Sequence, residues 1–179
     1  MKKFFFLYLF LIHVIAHGQI YMGKTYNISF FSDGPVEDIA AVSKSAQMVL
    51  NASTNEIALK VSIKSFDFDK ELMEEHFNEK YMESDKFPNA TFSGKIRDTI
   101  NYKVDGIYTV TVVGKLTMHG VEKPRTIQGT LTIKGGELFV DCKFTVALKD
   151  HAIEVPTLVA QNIAETVDVT IKTTLTLYK

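Results

Sequence analysis

From Tyr26 onward, apolar and polar residues alternate one by one in segment after segment, and this period of two constrains the fold more than any other feature. Successive side chains of an extended strand point to opposite faces of its sheet, so such a pattern buries one face and wets the other. In "NEIALKVSIKSF" the apolar set is Ile57, Leu59, Val61 and Ile63, and in "GIYTVTVVGKLTMHG" it is Tyr108, Val110, Val112, Leu116 and Met118. "RTIQGTLTIKGG" places Ile127, Leu131 and Ile133 on one face, and "ELFVDCKFTVALKD" places Leu138, Val140, Cys142, Phe144, Val146 and Leu148. The last segment, "ETVDVTIKTTLTLYK", contributes Val167, Val169, Ile171, Leu175 and Leu177. The opposite faces are rich in threonine and lysine.

Turn signals separate the segments: Asp33-Gly34-Pro35, Asn51 to Asn55, Asp105-Gly106, His119-Gly120 and Gly135-Gly136, the last with the signature of a two-residue hairpin. Short connections make neighbouring strands antiparallel. A sheet of about eight strands with one apolar face each, and no second layer of helices, has to bury that face against itself. The expected fold class is all-β: a single antiparallel up-and-down, lipocalin-like barrel of about eight strands with one short covering helix. A β-sandwich would bury the same faces, but closure also removes the edges. Any edge left unpaired would allow a homodimer.

The N-terminus reads differently. "MKKFFFLYLFLIHVIAHGQ" has two lysines, an apolar run from Phe4 to Ile15, and small residues Ala16 and Gly18 before Gln19, the pattern of a secretory leader cleaved near Gly18/Gln19. The apolar run is shorter than the roughly 18 to 20 residues a membrane-spanning helix needs. The expected organisation is therefore a leader over residues 1–18 and one barrel domain over 19–179, working in the periplasm or outside the cell. Losing Lys2 and Lys3 makes the formal net charge of −1 more negative, and Arg97 and Arg125 are the chain's only arginines. That argues against a nucleic-acid surface, which needs clustered cations. Cys142 is the only cysteine, so no intrachain disulfide forms, and no cysteine after the cleavage point offers a lipid-anchor site. On the apolar phase of its strand, it reads as a buried, inert thiol.

One stretch suggests chemistry. "KELMEEHFNEKYMESDKFP" predicts a helix starting at an Asp67 or Asp69 cap and ending near Tyr81, with Glu71, Glu74 and Glu75 in its first turns. At 100° per residue, Leu72, Met73, His76, Phe77 and Tyr81 face whatever the helix covers, and Glu75 lies on the flank. His76 with Glu79 would give two metal ligands, fewer than the three or four a site usually takes. His119 reads as a turn residue, and Asp150-His151 as a strand-end feature rather than a general base with its orienting carboxylate. No nucleophile elbow, phosphate loop or dinucleotide fingerprint occurs, so no catalytic residue, metal site or cofactor is expected. Phe66, Phe68, Phe92, Phe144 and Met118 either fill the barrel or line it; a lined cavity would suit a long hydrocarbon.

Three blocks, "HFNEKYMESDKFPNATFSGKI", "GKLTMHGVEKPRTIQGTLTI" and "DHAIEVPTLVAQNIAETVDVTIKTTL", resemble the YceI-like family of secreted bacterial proteins, in the branch common among Bacteroidetes. The Gly114–Pro124 turn and the Ser84–Phe92 segment are the most specific signs. The resemblance implies a lipocalin-like barrel with an elongated apolar pocket for a polyisoprenoid, an isoprenoid quinone or a fatty-acyl amphiphile, held non-covalently and without catalysis. The strand residues it places in the pocket are Ile57, Leu59, Val61, Phe66, Phe68, Phe92, Leu116, Met118, Val140, Phe144, Val169 and Ile171, joined from the helix by Met73, Phe77 and Tyr81. The arginine and paired phenylalanines of the better-known branch are missing before the Phe92 strand, so headgroup contacts do not carry over. A filled barrel serving as a structural or interaction module is the alternative, followed by a metal protein or enzyme using His76, His119 or His151.

Overall fold

A computed structural model describes residues 19–34, 38–154 and 164–178. The expected leader, residues 1–18, lies outside them. Ten strands and one short α-helix follow in chain order: β1 (Ile20–Ser32), β2 (Ile39–Ser43), β3 (Ala46–Asn51), β4 (Glu56–Ser62), β5 (Asp67–Phe68), α1 (Glu71–His76), β6 (Asn89–Ile96), β7 (Gly106–Met118), β8 (Val121–Lys134), β9 (Glu137–Ala147) and β10 (Thr166–Leu177). Every pairing is antiparallel, and β10 returns to pair with β1, closing a ring of eight: β1, β3, β4, β6, β7, β8, β9 and β10. The barrel expected from the alternation is therefore the observed fold. Closure leaves the two-residue β5 at the end of the sheet order.

β2 and β5 extend this ring. The start of β1 pairs with β3 and its end with β2, so β2 and β3 form one strand broken at Lys44-Ser45. β4 breaks likewise at a 3-10 turn, Ile63–Ser65, before β5 resumes against β2. Ser43 and Ser65 join the two breaks through their hydroxyls at 2.8 Å.

Sequence alternation turns into burial most cleanly on β4, β7, β8 and β9, and least on β1. There the register passes from Gly23↔Leu175 to Thr25↔Thr174, leaving Lys24 as an unpaired bulge residue. A bulge reverses the phase of everything after it. Tyr21 is buried before it, and Ile28 and Ser32 after it.

The two ends of the barrel differ. At the end where β8 turns into β9, Leu50, Leu138 and Leu175 are wholly buried, with Leu131 and Ile133 beside them. Tyr102 closes this plug from the 97–105 connection. Its ring stacks on Tyr21 with centroids 6.3 Å apart, and its hydroxyl donates to Asn55 Oδ1 at 2.9 Å. Gly135 and Gly136, both at positive φ (59° and 81°), make the β8–β9 turn, a backbone that L side chains adopt at a cost.

The opposite end carries α1. The helix is shorter than expected: α1 stops at His76, and the chain continues through one widened, π-type turn, Phe77–Tyr81. Its N-cap is Lys70, without a side-chain cap, so the expected Asp67 or Asp69 cap is not made. The reason is competition, since Asp67 is pulled into the β5 pairing with Val42. Leu72, expected on the covered side, does line the cavity at its mouth, yet it is 61% exposed there.

One seam in the wall is incomplete. β8 and β9 pair from Lys134↔Glu137 to Gly129↔Cys142 and no further, so residues 121–128 and 143–147 diverge toward the α1 end. A 3-10 turn, Leu148–His151, packs against β8 there.

Candidate functional site

Above the leucine plug the barrel is hollow. A cavity of about 450 Å³ lies within the inward faces of the strands and reaches the α1 end. Its floor includes Met48, Ile57 and Val110, which pack in one cluster with the plug, and Ile127 lines it as well. The walls carry Leu59 and Val61 of β4, Phe92 of β6, Leu116 and Met118 of β7, Val140 and Phe144 of β9, and Val169 and Ile171 of β10. Phe66, Phe68, Met73, Phe77 and Tyr81 line it near the mouth. Each apolar position named as a pocket candidate lies on this surface, whereas Leu131, Ile133, Leu138 and Leu175 of the same strands go to the plug.

Glycines help keep the space open. Gly94 and Gly114 face each other in register on β6 and β7, and the Phe92 ring lies close over both. A Cβ on Gly114 would run into the Ser93 carbonyl, Gly94 Cα and the Phe92 ring. The absence of side chains here gives the ring a place along the wall.

Four phenylalanines gather at the mouth. Phe30 lies 5.5 Å from Phe66, 5.8 Å from Phe68 and 5.4 Å from Phe77, centroid to centroid, and Phe77 is 5.0 Å from Phe68. Tilted and offset pairs at these distances suit the ring quadrupole. Phe30 was not expected here, nor were Ile28 and Ser32 beside it; all three lie on β1 after the bulge and line the cavity. Adjacent Phe30 and Phe31 blur the phase further, and Phe31 is the one turned outward.

The titratable groups divide by location. His76 is half-buried on the cavity lining, as its helical phase implied, while Glu75 and Glu79 are exposed. Among the described residues no group of three or more His, Cys, Asp or Glu side chains could hold a metal ion. His119 is the turn residue the sequence suggested, at φ 50°. Its Nε2 lies 2.9 Å from Glu83 Oε2 and its Nδ1 3.1 Å from the His151 carbonyl, which ties the segment after α1 to the β7–β8 turn. His151 and Asp150 lie in the 3-10 turn by the seam, where Asp150 Oδ2 accepts from Arg125 at 3.3 Å.

His151 is wholly buried and its Nδ1 donates to the Val121 carbonyl at 3.0 Å. Burial holds its pKa below the ordinary value, and the nearby Arg125 guanidinium acts in the same direction. Cys142 is half-buried on the cavity wall. Burial pushes its thiol up to about 11, helped by the Asp141 charge and opposed by a backbone hydrogen bond with Ile171. It is a weakly polar part of the lining.

A closed antiparallel barrel with an apolar chamber at one end and a plug at the other defines a lipocalin-like architecture. Residues 17–175 match the YceI-like domain, and the chain belongs to that family. Among solved structures it is similar to a polyisoprenoid binding domain from Saccharophagus degradans implicated in plant cell wall breakdown (14% identity, TM-score 0.76, covering 90% of this chain and 100% of that one). It is also similar to BcnA of Burkholderia cenocepacia (16% identity, TM-score 0.70, covering 83% and 95%). A third is the YCEI protein of Campylobacter jejuni (14% identity, TM-score 0.57, covering 100% and 99%). At these identities the likeness is one of fold. No curated protein sequence matches the chain.

Proposed function

We propose that this protein binds an apolar or amphiphilic lipid inside its barrel and carries or sequesters it, without covalent chemistry of its own. The observation behind this reading is the half-hollow barrel: a chamber of about 450 Å³ with an almost wholly hydrocarbon lining, in the size range of small-molecule sites. A filled-barrel module would have no such chamber. Enclosing hydrocarbon is favourable by about 25 cal/mol per Å², so an isoprenoid or acyl chain can be held with few polar contacts. The binding activity named for the Saccharophagus degradans domain points to the same ligand class.

The leader-like residues 1–18 support export, which would place the protein in the periplasm or outside the cell, where a water-insoluble lipid needs a carrier. No described helix is long and apolar enough to cross a membrane. Native mass spectrometry of protein purified from its own host, followed by lipid extraction, is the test. A co-purifying chain lipid, or saturable binding of prenyl or acyl chains, is the expected result; neither appearing would end the proposal.

A further inference from the structure

We propose that Ser32 selects the chemistry of the bound lipid by hydrogen bonding to an oxygen-bearing group on it, an alcohol or a carbonyl. The proposal rests on the lipid-binding reading above and adds to it a residue and a preference. Ser32 ends the inward row of β1 that begins after the bulge, following Ile28 and Phe30. In register it pairs with Ile39 on β2, and it lies one position beyond the Phe31↔Asp168 pair of β1 with β10, next to Val167. Both neighbouring side chains are aliphatic, so neither offers it a partner.

Ser32 lines the cavity and is 2% exposed, and its Oγ makes no hydrogen bond among the described residues. Other polar groups on the lining differ. The Thr130 hydroxyl donates to the Asp141 carbonyl at 3.4 Å, His76 and Tyr81 are partly exposed to water, and the Cys142 thiol is a weak partner. A hydroxyl sealed from water and left unpaired carries its full desolvation penalty, whereas a serine can both donate and accept. A hydrocarbon seated against it would leave the penalty standing; a lipid with a hydroxyl or carbonyl at that depth would remove it. A pocket with such a group disfavours the ligand that leaves it unpaired.

The test compares farnesol with its hydrocarbon counterpart farnesene in displacement titrations on the full chain. The wild type is expected to prefer farnesol by about three- to tenfold, the worth of one hydrogen bond. Ser32→Ala should abolish that preference while farnesene binds as well or better, and Ser32→Cys, which keeps the volume but not the strong hydrogen bond, carries the same expectation if the alanine variant does not fold. An unchanged farnesol preference in the variants overturns the role of Ser32 and leaves lipid binding intact. So does a crystal structure of the farnesol complex with a water, rather than the ligand oxygen, on Ser32 Oγ. If neither probe binds the wild type, lipid binding itself fails and this proposal with it.

Discussion

Single residues here are defined by what burial does to them. Cys142 is the plainest case, because a thiol held near a pKa of about 11, against an ordinary 9.0, has about a hundredfold less thiolate at pH 8. Its reaction with a disulfide reagent at pH 8 should be slower in the folded protein than in urea by about tenfold or more, because the greater nucleophilicity of a more basic thiolate offsets part of the loss and burial in the wall adds to it. Comparable rates would mean that the thiol is not held in the wall. For His151 the sign is set by burial, which lowers the folded pKa below the unfolded value of 6.5. As pH falls through 6.5 the unfolded chain takes up a proton that the folded chain refuses, so stability is complete above 6.5 and declines below it. Thermal melts at pH 7.5 and 5.5 should show a larger drop for the wild type than for His151→Gln. Gly114→Ala should destabilise by about 1–3 kcal/mol in urea titrations, since the new methyl group meets backbone on two sides and the Phe92 ring.

At the level of elements, the sequence was most legible where nothing interrupts the period of two. β4, β7, β8, β9 and β10 deliver their apolar sets to the cavity or the plug as the alternation requires, apart from Leu177, which is exposed at the end of β10. β1 was not legible, because Lys24 is an extra residue whose effect on phase no local pattern announces, and Ile28, Phe30 and Ser32 downstream of it were missed; Ile39, Met48, Met82, Ala90 and Ile153, in short or irregular segments without a sustained alternation, were missed as well. The helix cap failed for a different reason. A capping aspartate and a strand aspartate have the same sequence signature, and a long-range pairing with Val42 decided between them. Whether the chamber is hollow lay beyond the pattern altogether, since it depends on three-dimensional sums such as Phe92 folding over two glycines. The mouth is the element most open to testing. Phe77 holds the turn after α1 against Phe30, Phe66 and Phe68. Phe77→Ala should cost about 1–3 kcal/mol, less than a wholly buried ring, and should speed ligand dissociation in stopped-flow displacement more than it weakens the fold.

As a whole the molecule is a barrel stabilised at one end and hollow at the other. Leu131→Ala in the plug should cost about 2–5 kcal/mol with no direct effect on the chamber, whereas Val169→Phe should fill space, block lipid and leave the melting temperature nearly unchanged. Chain-length series test the size of the chamber directly. Affinity for straight-chain alcohols should rise by about fourfold per methylene, the equivalent of about 0.8 kcal/mol, and level off once the volume of about 450 Å³ is full. A series that never levels off would place the ligand outside the barrel.

The parting of β8 from β9 has a consequence for how the wall breathes. Beyond Gly129↔Cys142, alternate backbone amides of residues 121–128 other than Pro124, and of 143–147, have no β8–β9 ladder partner among the described residues. Those amides should exchange with deuterium far sooner than the paired ones of residues 129–134. The barrel would then loosen along one vertical line rather than uniformly, and a chain filling the chamber should slow that exchange from within, giving an isotope readout of occupancy that needs no label on the lipid.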